Sequence, residues 1–438
     1  MAEKLDMVNL KFAFPETAFD EDYIIGTYQV RMETKDIERL AVAVADEQST
    51  GTWIRVGHDS VEKTRKFGAK VVSIYEVPDY GADRVEDLPP LHLVQLAFPA
   101  ENMGDCLPMM MSTVFGNIAA SGMLKWIDVA FPKKYVAKFQ GPKFGVEGVR
   151  DLLGVHDRPL LNAMIKPNIG WSPKEGAEIF YEAAAGGVDV IKDDELLRAD
   201  GPACPLEERV TRMMEMERRA YEETGEHTLY AVNITDEPGK IRDNAMRALE
   251  KGANCLMLNV YTAGLGMLRT LAEDKDIQVP VLAHSDFVGA YAGSTYTGVS
   301  APLVMGKITR MAGGDMEIGG HPWGKFPIPH SLFMRTFRFF TQPWWNIKPM
   351  LYLFSGGTTQ FSVADAVREC GIDVVIAAGG AVHGHPDGSM AGAKSMRQAI
   401  DAAVKGIDLM EYAKDAPELM RMAKMLDPNV LKNFALMN

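Results

Sequence analysis

The stretch "GGVDVIKDDELLRAD" (186–200) brings an apolar run of strand length up against one lysine and three acids. Val188, Val190 and Ile191 read as a short strand buried on both faces. Lys192, Asp193, Asp194 and Glu195 follow at its tip. Lys192 and Asp194 are two residues apart, so their side chains share one side of the strand. Asp194 and Glu195 offer the hard oxygens that magnesium takes. Lys192 beside them could be a plain ion-pair partner. Its apolar approach equally suits a lysine that loses its proton through desolvation. A neutral amine can add CO2, and the resulting carbamate would give a metal a third oxygen ligand.

Other apolar runs end in the same way. Their tips carry Lys166, Asn233, Asn259, His284, Ser355 with Gly356 and Gly357, and Gly379 with Gly380. Either asparagine reads equally well as a satisfied polar cap. The glycine tips present backbone N–H groups where helices begin, an arrangement suited to phosphate. Lys325 lies in "GGHPWGKFPIP", a Gly- and Pro-rich stretch that is either a lid carrying a lysine over a substrate or a rigid surface turn. His383 and His385 lie in "GGAVHGHPDG" without nearby cysteines, which favours a structural role over a metal site.

Eight runs supply these tips: "RPLLNAMIKP", "GVDVIKDDE", "HTLYAVNIT", "ANCLMLNV", "VPVLAHSD", "GDMEIGG", "MLYLFSGG" and "DVVIAAGG". Helix-like segments lie between most of them. Ser172-Pro173 marks one helix start, and Ser362 with Asp365 is a candidate cap for "VADAVREC". Strand and helix alternating eight times predicts a closed parallel (β/α)8 barrel over 146–438, with an open doubly wound sheet as the competitor. In such a barrel all these tips converge on one mouth. Residues 1–145 read instead as a smaller α+β, ferredoxin-like domain with the order β-α-β-β-α-β. Gly141-Pro142 is the candidate boundary turn.

The 438 residues are 47% hydrophobic and carry a net charge of −13, which argues against a nucleic-acid partner. No apolar run reaches the roughly 18–20 residues that span a bilayer. The N-terminal "MAEKLDMVNLKFAF" lacks the layout of a signal peptide. Cys106, Cys204, Cys255 and Cys370 are far apart and read as reduced, so a cytoplasmic location is expected. The 27 methionines read as core filler.

Together "GPKFGVEGVRDLLG", "RPLLNAMIKP" and "GGVDVIKDDE" resemble the large chain of ribulose-bisphosphate carboxylase (RuBisCO). "EQSTGTW" (47–53), "FGN" (115–117), "MAGGD" (311–315), "GK" (324–325) and "SGG" (355–357) extend the likeness through both domains. The resemblance implies that Lys192 is carbamylated and completes a magnesium site with Asp194 and Glu195. It implies that Lys166 transfers protons and that Lys325 is a lid lysine. Thr52, Trp53, Gly357, Gly379 and Gly380 match one phosphate site. Glu47 and Asn117 match residues that the small domain of a partner subunit contributes, which implies a homodimer.

The chain also departs from the carboxylases. Ser285 stands where an arginine belongs and Ile318 where a histidine belongs, the two residues that bind a second phosphate there. Asn168 replaces a lysine. These losses resemble the RuBisCO-like proteins, which share the fold without fixing CO2. The methionine-salvage enolases of that group carry lysine at the position of Asn117 and lack the lid lysine. Keeping Asn117 and Lys325 is more similar to members acting on sugar-acid phosphates, such as 3-oxo-isoapionate 4-phosphate decarboxylases. The implied activity is a magnesium-dependent lyase or isomerase that forms an enediolate on a monophosphorylated keto-sugar or keto-sugar-acid. The alternatives are a methionine-salvage 2,3-diketo-5-methylthiopentyl-1-phosphate enolase or methylthioribulose phosphate isomerase, a working carboxylase, and a catalytically dead regulatory relative.

Overall fold

A computed structural model describes residues 10–20, 22–32, 36–52, 57–58, 60–77, 89–325 and 328–426. The chain divides into two compact units. The first comprises Met1–Gln140, Phe287–Ala312 and Trp345–Ile347, and the second comprises Gly141–Asp286, Gly313–Trp344 and Lys348–Asn438.

The first unit is built on strands β1 (Tyr23–Arg31), β2 (Lys70–Val77), β3 (Leu91–Pro99) and β4 (Leu124–Ala130), all antiparallel to their neighbours in the order β4-β1-β3-β2. Helix α1 (Ile37–Glu47) lies between β1 and β2, and α2 (Leu107–Phe115) between β3 and β4, which is the ferredoxin-like arrangement. α1 starts where the Asp36 carboxylate accepts a hydrogen bond from the Arg39 N–H, satisfying a donor that the first turn leaves without an intrahelical partner. A fifth strand, β10 (Gly298–Val299), comes from the later excursion Phe287–Ala312 and joins β4 in parallel. Two residues with a glycine carry too little pattern to announce a strand, so the sequence offered no signal for it.

The second unit is a closed barrel of eight parallel strands: β5 (Leu160–Met164), β6 (Val190–Lys192), β7 (Leu229–Asn233), β8 (Cys255–Asn259), β9 (Val281–His284), β11 (Met316–Gly319), β12 (Leu351–Phe354) and β13 (Val374–Ala377). All eight predicted runs are present, and β13 pairs with β5 to close the ring. Closure excludes the open doubly wound sheet. Alternate residues face inward, and Leu160, Val190, Leu229, Met257, Leu353 and Val375 belong to one buried core. Helix α3 (Gly145–Leu153) adds Val146, Val149 and Leu153 to that core. It is tied to the N-terminal end of the barrel by Asp315, whose carboxylate accepts hydrogen bonds from the N–H groups of Phe144 (2.7 Å), Gly145 (2.8 Å) and Val281 (2.9 Å). Burial pushes the Asp315 carboxyl up to about 6 against those bonds.

Helix α4 (Pro173–Ala185) starts at Ser172 with a capping box: Ser172 Oγ accepts from the Glu175 N–H, and the Glu175 carboxylate accepts from the Ser172 N–H. Ser362 corrects an expectation. It makes no side-chain cap bond to α6 (Val363–Cys370; α5, Leu206–Thr224, precedes it). Its hydroxyl donates instead to Thr359 O (2.8 Å) and accepts from the Thr359 N–H (3.1 Å), closing the preceding turn. The hydroxyl had a nearer partner behind it than ahead of it.

Candidate active site

The strand tips meet at the C-terminal mouth of the barrel. Lys166, Lys192, Glu195, His284, Lys325, Ser355, Gly356, Gly357, Gly379 and Gly380 line one cavity of about 580 Å³. Lys192 points inward from the end of β6 and is 1% exposed. Its Nζ donates to Glu195 Oε2 (3.1 Å) and to the carbonyl of Asp193 (2.8 Å). Burial holds this amine below the usual lysine range, with the Lys166 charge adding to the effect and the Glu195 and Asp194 carboxylates opposing it. Asp194 lies deeper. It is 1% exposed and pairs with Lys166 (2.9 Å), whose Nζ also donates to Asn168 Oδ1 (2.7 Å). Asn168 thus takes up the Lys166 amine as a hydrogen-bond acceptor.

Burial alone would raise the Glu195 carboxyl, but a hydrogen bond from His284 and the Lys192 charge outweigh it and hold the group well below the usual range. His284 Nδ1 accepts from the Asp286 N–H (3.0 Å), which leaves the proton on Nε2, 3.2 Å from Glu195 Oε2. Burial, helped by the Lys192 charge, lowers this imidazole, so it donates as a neutral ring. Asn233 and Asn259 serve the tip rather than the cavity. The Asn233 amide donates to the carbonyls of Asp194, Glu195 and Leu197, and the Asn259 amide to that of Glu195 (3.0 Å).

Gly356 and Gly357 adopt φ of +96° and +90°, conformations open to glycine. The Lys325 N–H donates to Gly356 O (2.8 Å), which seats its loop on the glycine tip. The loop is braced behind by His321, 3.0 Å from Thr358 Oγ1, and by Trp323, which meets Phe333 edge-on. Ile318, which replaces a phosphate-binding histidine by resemblance, is buried and lines the cavity together with Met164. His385 bonds to Glu418 O (3.0 Å) and to the Asp387 N–H, and His383 to Ser389 Oγ (3.2 Å). His383 staples its own loop, and His385 also ties that loop to the helix Pro417–Met425.

Glu47, Thr52 and Asn117 belong to the first unit. Asn117 Nδ2 lies 3.4 Å from Glu47 Oε1 in an exposed position, and Thr52 is exposed. Trp53 lies outside the described residues.

Two features escaped the sequence reading. Met422, Met425 and Leu426, late in the chain, reach the cavity wall. Arg209 is fully buried and pairs with Asp193. Its position was a usable signal, since helical spacing puts residue 209 on the face of α5 that carries Leu206, Val210 and Met213.

Closed barrel, ferredoxin-like unit and lysine-acid tip together define the RuBisCO large-chain architecture, and the comparisons agree. The catalytic domain of the ribulose bisphosphate carboxylase large chain matches residues 145–425, and its N-terminal domain matches residues 12–135. The chain belongs to the RuBisCO large-chain family. It is 47% identical over 406 residues to a ribulose bisphosphate carboxylase-like protein of Archaeoglobus fulgidus, covering 92% of this chain and 93% of that one. It is 35% identical to a 2,3-diketo-5-methylthiopentyl-1-phosphate enolase of Bacillus cereus, covering 89% of this chain and 94% of the relative. Among solved structures, octameric RuBisCO from Pyrococcus horikoshii superposes with a TM-score of 0.86 at 32% identity, over 93% of this chain and 96% of that one. No helix among the described residues is long and apolar enough to cross a membrane.

Proposed function

We propose that this protein is a magnesium-dependent enzyme that enolises a monophosphorylated ketone. The observation that carries the reading is the buried Lys192 amine bonded to Glu195, next to the Lys166–Asp194 pair and facing one cavity with Lys166, Lys325 and the glycine tips. Among the described residues, no three His, Cys, Asp or Glu side chains are disposed to hold a metal ion. Asp194 and Glu195 supply two hard oxygens, and a carbamate on Lys192 supplies the third, so the donor set fits magnesium. Bound there, the ion would stabilise negative charge on the substrate oxygen.

The chain's own groups do the rest. Lys166, held by Asp194 and Asn168, moves the proton at the carbon beside the carbonyl. The N–H groups of the Gly357 and Gly379-Gly380 tips, with Lys325, hold the phosphate. Ile318 and Met164 line the cavity with apolar surface, against which a second phosphate would be stripped of water without compensation. Neutral His284 keeps Glu195 ionised and oriented.

The enolase outcome is supported by the relatives at 35% identity. Decarboxylation of a β-keto acid, which leaves the same enolate, is a second reading supported by Lys325, whose loop is seated on the glycine tip. The Glu47–Asn117 pair supports a site completed by a second copy of the chain in a homodimer. The test is exchange of substrate protons with deuterated water, followed by NMR, using 2,3-diketo-5-methylthiopentyl 1-phosphate and a β-keto sugar-acid phosphate. Preincubation with bicarbonate and magnesium should raise the rate, and Lys192→Ala should abolish it. Full activity in CO2-free buffer with a chelator refutes the reading.

A further inference from the structure

Three acids stand at the tip of β6, and the proposed site uses two of them. Asp193 faces the other way, as strand alternation requires, and is 0% exposed. Its Oδ1 accepts from the Tyr230 hydroxyl (2.5 Å), and its Oδ2 accepts from the Asn233 N–H (2.9 Å). The Arg209 guanidinium, also 0% exposed, lies 3.3 Å from that second oxygen. Arg209 has further partners. Nε donates to the Tyr230 hydroxyl (3.2 Å), Nη1 to Cys204 O (3.0 Å) and Nη2 to Ala199 O (3.2 Å).

One guanidinium thus joins the strand tip, the neighbouring strand β7 and the loop that leads away from Glu195. Lys192 Nζ bonds to the backbone carbonyl of Asp193, so anything that turns the Asp193 peptide also turns the Lys192 amine. The pair commits the middle carboxylate to the outer face. Only Asp194 and Glu195 are then left to face the lysines.

We infer that Arg209, acting through Asp193, is a positioning residue that sets the geometry of the Lys192–Asp194–Glu195 tip for carbamate and magnesium. The inference rests on the proposed function. A planar guanidinium suits the task because its fork can serve a carboxylate, a hydroxyl and two carbonyls at once, which an ammonium cannot. Groups that orient metal ligands from behind typically govern affinity by ten- to a hundredfold.

The experiment compares wild type, Arg209→Lys and the charge-neutral pair Asp193→Asn with Arg209→Met. Removing both charges together avoids leaving one buried alone, which would unfold the tip for trivial reasons. Carbamate is read by 13C NMR after incubation with 13C-bicarbonate, magnesium affinity by calorimetry at fixed bicarbonate, and folding by thermal unfolding. Expected is cooperative unfolding in both variants, with magnesium bound at least tenfold more weakly and a diminished carbamate signal. If the double variant gives no folded protein, Arg209→Lys decides alone. Folded variants that bind magnesium within threefold of wild type and keep the carbamate overturn the inference and leave the proposed function standing. A wild type that takes up neither carbamate nor magnesium overturns both.

Discussion

Replacing Gly357 with alanine would test whether the Lys325 loop is held by the glycine tip. A Cβ at this position would lie 2.6 Å from the Lys325 backbone nitrogen and 2.9 Å from its Cβ, so backbone must move. The residue also sits at φ +90°, where a side chain costs roughly 1–2 kcal/mol. Displacing the loop gives up the Lys325–Gly356 hydrogen bond as well, worth about 1 kcal/mol net. The sum is roughly 2–3 kcal/mol against the seated loop. At 1.4 kcal/mol per factor of ten, phosphate held beneath Lys325 should bind on the order of 30- to 150-fold more weakly. Calorimetry with inorganic phosphate and with a sugar monophosphate measures this directly.

Gly154→Ala is the control. Gly154 is also left-handed at φ +67°, but a Cβ there meets nothing within 4 Å. It should lose roughly 1 kcal/mol of stability and no phosphate affinity. Wild-type phosphate affinity in Gly357→Ala would refute the seated loop. An equal loss in Gly154→Ala would show that backbone strain, rather than the clash with Lys325, carries the effect.

The remaining predictions concern the amine, the second phosphate and assembly. Because burial lowers the Lys192 amine, its neutral fraction grows as pH rises through that depressed value, and only the neutral form adds CO2. The rate of 13C-carbamate formation at fixed dissolved CO2 should therefore level off below the ordinary lysine range, and the signal should be absent in Lys192→Arg; a rate still climbing through about pH 10 contradicts the depressed amine. Ribulose 1,5-bisphosphate should bind poorly and yield no labelled phosphoglycerate from labelled CO2, since Ile318 presents a methyl surface to the cavity. Incorporation of label would overturn the single-phosphate reading. Dilution followed by light scattering and activity should show activity falling with dimer, and a fully active monomer would exclude the shared site.

All eight barrel strands were legible because parallel strands covered on both faces read as continuous apolar runs, and the polar residue ending each run marks the mouth. Lys166, Lys192, Asp194, Glu195 and His284 could be named on that basis, since each sits within three residues of a strand end. Glycine at 356 and 357 was equally readable, as few other residues tolerate those φ values. Other assignments depend on which partner lies nearest in space, and sequence order is silent about that. Ser362 turned back to Thr359 because that partner was within reach. Asp194 is held behind Lys166 while Glu195 opens to the cavity, although the two are adjacent in the chain. Residues 298–299 became a sheet edge because a strand far earlier had an unpaired side to offer. Lys192 is the clearest division between the two kinds of information. Its place at a buried tip follows from the order of residues. Whether its amine is a cation or a site for CO2 depends on the desolvation and the neighbouring charges that the closed barrel collects around it.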